Sequence, residues 1–117
     1  MATHYMHLNE GPFEKIRSGK KTIELRLYDE KRQKVSIGDV IVFDNLSEPG
    51  VTISARVTDI HRFDNFDALY KSLPLQKCGY SDDEVNTASP DDMLEYYSKE
   101  EQQKYGVVGI EIELCEA

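Results

Sequence analysis

The sequence predicts an α+β domain: a small, curved, five- to six-stranded β-barrel with short helices inserted at its periphery. Three observations predict it. Apolar and polar residues alternate with period two near 22–27, 51–58 and 107–114, and an apolar run fills 40–43. The alternation of 51–58 then slips phase at Asp59 and Ile60, the mark of a bulge that curves a sheet. Between the last two strands, the stretch 64–104 carries repeated helix-capping signatures.

The elements follow in order. A first short strand is expected at 4–8. Asn9 is placed to cap a helix running to Arg17, in which the early Pro12 falls where a missing N–H costs nothing. Phe13 and Ile16 form its inner face, and Gly19 ends it as a left-handed cap. A strand at 21–27 comes next, with Ile23, Leu25 and Leu27 on an apolar core face and Thr22, Glu24 and Arg26 on the other. Residues 29–34 read as a charged loop. Gly38-Asp39 turns into a buried strand, Val40-Ile41-Val42-Phe43, and Glu48-Pro49-Gly50 turns the chain again. Val51, Ile53, Ala55 and Val57 then oppose Thr52, Ser54, Arg56 and Thr58.

Asp64 or Asn65 opens a helix with Phe66, Leu69 and Tyr70 inside. Ser81, Ser89 and Ser98 are each followed three residues on by an acid (Glu84, Asp92 and Glu101), which makes three capping boxes. The closing strand, 107–114, turns Ile110, Ile112 and Leu114 inward.

A chain of 117 residues suits one domain, 1–117, with one core. At 39% hydrophobic and 31% charged residues it has the composition of a soluble globular protein. No apolar run is long enough for a membrane span, and the opening residues lack the layout of a signal peptide. Cys78 and Cys115 belong to no metal-ligand pattern, and His4, His7 and His61 share no metal-ligand spacing with them or with each other. Reduced thiols, a cytoplasmic location, no metal and no cofactor are the expectations.

The net charge of −8 is unevenly divided: residues 1–34 carry +3 and the remainder −11. Such a chain would be repelled by duplex DNA, but a local basic cleft can still hold a small anionic or single-stranded ligand.

The basic segment centres on Gly19-Lys20-Lys21-Thr22-Ile23-Glu24-Leu25-Arg26. A glycine turn delivers two lysines to a strand whose polar face offers a hydroxyl, a carboxylate and a guanidinium in a row. Together with Gly38-Asp39-Val40-Ile41-Val42-Phe43 and the ending Tyr105-Gly106-Val107-Val108-Gly109-Ile110, this segment resembles the ASCH domain family, a relative of the PUA RNA-binding fold. The family's Gly-x-Lys, Glu-x-Arg and Gly-Asp slots fall on Gly19, Lys21, Glu24, Arg26, Gly38 and Asp39.

The resemblance implies a barrel with a cleft floored by the motif strand, and a ligand among nucleotides, modified nucleosides or single-stranded RNA. Its candidate ligand-binding residues are Lys20, Lys21, Thr22, Glu24 and Arg26. Glu24 and Arg26, two apart on one strand face, can pair as a structural bridge at the barrel mouth. Arg26 can equally meet phosphate or a base edge while Glu24 orients it. Lys21 is either a solvated lysine or a cleft base. Tyr96, Tyr97 and Tyr105 are either packing residues or a stacking platform for a base.

The chain is also distantly similar to small amidohydrolases of the family that deacetylate N4-acetylcytidine. Lys21 occupies their lysine slot, whereas Glu24 stands where they carry a catalytic threonine. The resemblance therefore implies Lys21 and Glu24 as the candidate catalytic pair, acting as base and positioner towards water where the relatives use a hydroxyl nucleophile. Their glutamate from the helical segment has four candidates here: Glu84, Glu95, Glu100 and Glu101.

Overall fold

The computed structural model describes residues 1–115. Five strands, β1 (Thr3–Leu8), β2 (Ile23–Leu27), β3 (Val40–Asn45), β4 (Thr52–Phe63) and β5 (Val107–Leu114), form one sheet. Its order is β1-β3-β4-β5-β2, with β1 and β3 parallel and every other neighbouring pair antiparallel. The sheet curls into a half-barrel. No sixth strand is present among the described residues, and β1 and β2 remain its two edges.

The curl has the cause that the sequence pattern indicates. β4 changes register against β5 between Val57 and Asp59, an extra residue that bends the strand. Before the bulge, Ala55 and Val57 point into the curl; after it, Ile60 takes the inward position.

Both faces of the sheet are covered. Inside the curl, helix α1 (Glu10–Arg17) lays Phe13 and Ile16 on Met6, Leu8, Ile41, Phe43, Val108 and Ile110. Burying each of these two α1 side chains contributes roughly 1.5–3 kcal/mol. Outside the curl, Ile23, Leu25, Leu27 and Val107 pack under α2 (Phe66–Ser72), whose Phe66, Leu69 and Tyr70 face the sheet, and under Cys78 and Met93. The outer layer continues through α3 (Asp82–Val85), a 3-10 turn at Pro90–Glu95, and α4 (Lys99–Tyr105). All three serine capping boxes form, each with the serine side chain and the acid three residues later bonding reciprocally to backbone N–H groups. Asn65 caps α2 by accepting from the N–H of Ala68.

Several expectations need correction. β2 starts at Ile23 because the N–H groups of both Thr22 and Ile23 bond to the carbonyl of Lys77, outside the sheet. Asn9 precedes α1 with no side-chain capping bond; its backbone carbonyl instead accepts from Phe13. Within 29–34 the chain forms a 3-10 turn, Arg32–Lys34, tied down by a 3.0 Å Arg32–Asp29 ion pair. β3 alternates buried and half-buried residues rather than being buried throughout, because α1 covers one of its faces. Leu114 is 37% exposed at the end of β5, beyond the reach of the inner core.

Candidate functional site

β2 is an edge strand, so both layers of the molecule are reachable around its free side. There the two layers leave a cleft of about 450 Å³. His7 and Leu8 of β1, Pro12 and Lys15 of α1, and Lys21, Glu24 and Arg26 line it on one side. Tyr70, Cys78, Gly79, Tyr80, Met93, Tyr96 and Tyr97 of the outer layer line it on the other.

At the floor, Glu24 lies between two cations. Its carboxylate is 3% exposed, with Oε1 2.7 Å from Lys21 Nζ and Oε2 2.8 Å from Arg26 Nη2. Arg26 Nε donates to the same Oε2 at 3.0 Å. Burial pushes the Glu24 carboxyl up, but the charges and hydrogen bonds of Lys21 and Arg26 outweigh it and hold the group below the ordinary carboxylate range. Glu24 is therefore an anion that fixes two cations and a poor acceptor of protons.

Arg26 is held from two sides through Nε and Nη2. Besides Glu24 it donates through Nη2 to the carbonyl of His7 at 2.9 Å, bridging the gap between the sheet edges. Burial lowers the tendency of its guanidinium to stay charged, and Glu24 more than restores it. Lys21 differs. Its ammonium carries three donors and is only 11% exposed; among the described residues its partner is Glu24, which leaves donors for a ligand.

The position of Lys21 depends on Gly79. That glycine has φ +110°, a conformation that other residues rarely adopt, and a Cβ there would meet Lys21 Cδ at 3.2 Å. Lys15 Nζ of α1 donates to the Gly79 carbonyl at 2.7 Å and ties this loop to the helix.

The opposite wall is a relay of hydroxyls. Tyr80 donates to Asp92 Oδ2 at 2.8 Å, so its oxygen must accept from Tyr70, 2.6 Å away. Burial first, then its bonds to Tyr70 and Asp92, raise the Tyr80 phenol well above its usual range. Tyr97 stacks on Phe66 at 6.3 Å between centroids, and Tyr96 is more than half exposed at the rim. Burial raises the Cys78 thiol to about 11, which leaves it protonated and unreactive at neutral pH.

Three of the five residues singled out from the sequence, Lys21, Glu24 and Arg26, thus meet at one cleft. Lys20 is exposed and outside its lining. Thr22 is half-buried, also outside the lining, with its N–H bonded to Lys77 and its carbonyl accepting from Ile112. Of the four glutamates considered from the helical segment, Glu84 and Glu95 line the cleft, together with Asp92. Tyr96 and Tyr97 line it too, whereas Tyr105 faces a separate, larger groove of about 1130 Å³ beside α2 and α4. The sequence reading missed Lys15, Gly79 and the Tyr70–Tyr80–Asp92 chain, which only the meeting of the two layers brings together.

Comparison with known proteins agrees with this architecture. The crystal structure of hypothetical protein PH0355 superposes with a TM-score of 0.79 at 33% identity, covering 98% of this chain and 100% of that one. The solution structure of protein PF0455 from Pyrococcus furiosus gives 0.70 at 35% identity, covering 98% and 99%. An ASCH protein of Zymomonas mobilis, in its S128A mutant form, shares the fold with a TM-score of 0.66 at 15% identity, over 95% of this chain and 67% of that one. No curated protein matches. The family model for the ASCH domain matches residues 6–116, and with relatives a third identical over nearly the whole chain, this protein belongs to the ASCH domain family.

Proposed function

We propose that this protein binds a nucleoside or nucleotide, free or at an exposed position of a single-stranded RNA, in the cleft beside β2. The observation that carries this reading is the buried Lys21–Glu24–Arg26 row, which keeps a cation with spare donors at the floor of a cleft walled by tyrosines. Lys21 supplies charge-assisted hydrogen bonds to phosphate or a base carbonyl, while the tyrosine wall offers stacking surface and hydroxyls. Glu84, Asp92 and Glu95 add acidic groups to the lining, so a long polyanion is disfavoured and a ligand of one or two nucleotides is favoured.

An amide-resolved NMR titration with cytidine, cytidine monophosphate, N4-acetylcytidine and a short single-stranded RNA tests the reading. Shifts should gather at residues 19–26, 78–80 and 93–97, and be larger for the small ligands than for the RNA. If none of these ligands moves those amides, the proposal fails.

A second reading is favoured by one contact, the 2.7 Å approach of Lys21 to Glu24 in a buried setting. In this reading the protein is a metal-free amidohydrolase: water adds to the acyl carbonyl of an acylated nucleoside, and Lys21 stabilises the oxyanion. The acyl C–N bond then breaks, a proton from the water passing to the departing nucleoside amine as the carboxylic acid is released. Glu24 positions Lys21 rather than serving as the base, because its two cation partners hold it ionised. Release of acetate from N4-acetylcytidine, abolished by Lys21→Ala in a folded variant, is the expected result; undiminished turnover in that variant would exclude this role for Lys21.

A further inference from the structure

On the outer face of the sheet, three metal-ligating side chains converge. The bulge after Val57 sets Asp59 directly opposite Glu111, and His61 follows two residues later on the same face of β4. Without the extra residue, Asp59 and His61 would continue the inward series of Ala55 and Val57 into the core. One ligand atom from each of the three lies within 4.8 Å of the other two.

His61 Nε2 stands 2.7 Å from Glu111 Oε1 and 3.7 Å from Asp59 Oδ2. One ring nitrogen thus faces two carboxylates and has a single proton to donate. Asp59 Oδ1 accepts from the N–H of Ile60 at 2.8 Å, which orients this carboxylate and leaves Oδ2 over. Carboxylates directly opposite one another on paired strands repel, and a cation between them relieves that repulsion.

We propose that Asp59, His61 and Glu111 bind a divalent transition-metal ion of the zinc class, with solvent completing its shell. One imidazole nitrogen and two carboxylate oxygens suit such an ion. Donors held about 2.0–2.2 Å from a tetrahedral ion stand roughly 3.3 Å apart. That spacing falls between the 2.7 and 3.7 Å separations of this cluster. Side chains that are 28% (His61), 38% (Glu111) and 52% (Asp59) exposed have room to adjust toward it.

The cluster is separate from the cleft. Glu24 pairs with Ile110 and Ile23 with Glu111, which puts Glu24 and Glu111 on opposite faces of the sheet.

The test is a calorimetric and amide-NMR titration of the chelator-treated protein with Zn²⁺. Stoichiometric binding at micromolar concentrations is expected, with amide shifts at residues 59–62 and 109–112. His61→Ala and Glu111→Gln should each weaken binding by roughly tenfold or more. His7→Ala, which breaks the exposed His7–Asp44 pair instead, should leave it unchanged. Absence of binding below millimolar Zn²⁺ would overturn the proposal, as would binding that survives both His61→Ala and Glu111→Gln. Retained amide dispersion in the variants checks folding, and if one of them fails to fold, the other carries the same test.

Discussion

The two faces of the sheet treat the same chemistry in opposite ways. Inside the curl, Glu24 is 3% exposed and gripped by two cations. Outside it, Glu111 is 38% exposed and shares a histidine with a second carboxylate. The inner carboxylate is committed: it cannot be removed without stranding its partners, and it cannot readily take a proton. The outer one remains available. Burial, more than residue type, decides which charged group is structural and which is free to meet a ligand.

The sharpest way to break this contrast is Glu24→Ala. It leaves Lys21 and Arg26 as uncompensated buried charges, and a loss of about 3–5 kcal/mol is expected in a denaturant unfolding curve. Glu111→Gln on the outer face should change stability by no more than about 1 kcal/mol. Equal losses at the two positions would show that burial does not set the difference.

Gly79→Ala should cost roughly 1–3 kcal/mol, because alanine is strained at φ +110° and its Cβ presses on the Lys21 stem. Ligand affinity in the cleft should fall along with stability, since Lys21 must shift. A variant that loses stability alone would mean that Gly79 shapes the loop without positioning the lysine.

In the outer layer, Ser98→Ala removes one capping box and should lower stability by about 1 kcal/mol, with hydrogen exchange speeding up in α4 before the sheet.

A pH dependence is expected as well. Asp39 accepts from the backbone N–H groups of Ala2 and Ser36 and bonds to His4, which lowers its carboxyl to about 2 from an ordinary value of 3.8. A folded-state value below the unfolded one means that the unfolded chain binds the proton first. The stabilisation is therefore present above about pH 4 and lost as pH falls toward 2. Glu24, also lowered, acts in the same direction. Asp39→Asn should flatten the acid limb of a plot of unfolding midpoint against pH.

Much of this was legible in the sequence, for local reasons. The phase slip at Asp59 and Ile60 marks the bulge because period two is a property of the strand itself. The three serine boxes and the left-handed Gly19 are equally local, each specified within four residues. The burial of Glu24 was not legible. Alternation places it opposite Ile23 and Leu25, but only the arrival of β1 and α1 on that face converts a polar face into an interior. The outer cluster escaped as well, because histidine and cysteine spacings say nothing about a carboxylate contributed by β5 some fifty positions away. The Tyr70–Tyr80–Asp92 chain depends in the same way on long-range packing.

The seam between β1 and β2 has a consequence for the free edge of β1. Arg26 donates to the carbonyl of His7 and Lys31 to that of Tyr5, two acceptors on the free edge of β1. An exposed strand edge is a template on which another chain can add a strand. Here two acceptors of that template are already taken by cationic side chains from the same molecule, and each brings a positive charge that a second edge would have to displace. The open side of the half-barrel is thus partly capped without being closed, and the cleft lies beside an edge whose acceptors are in part already paired.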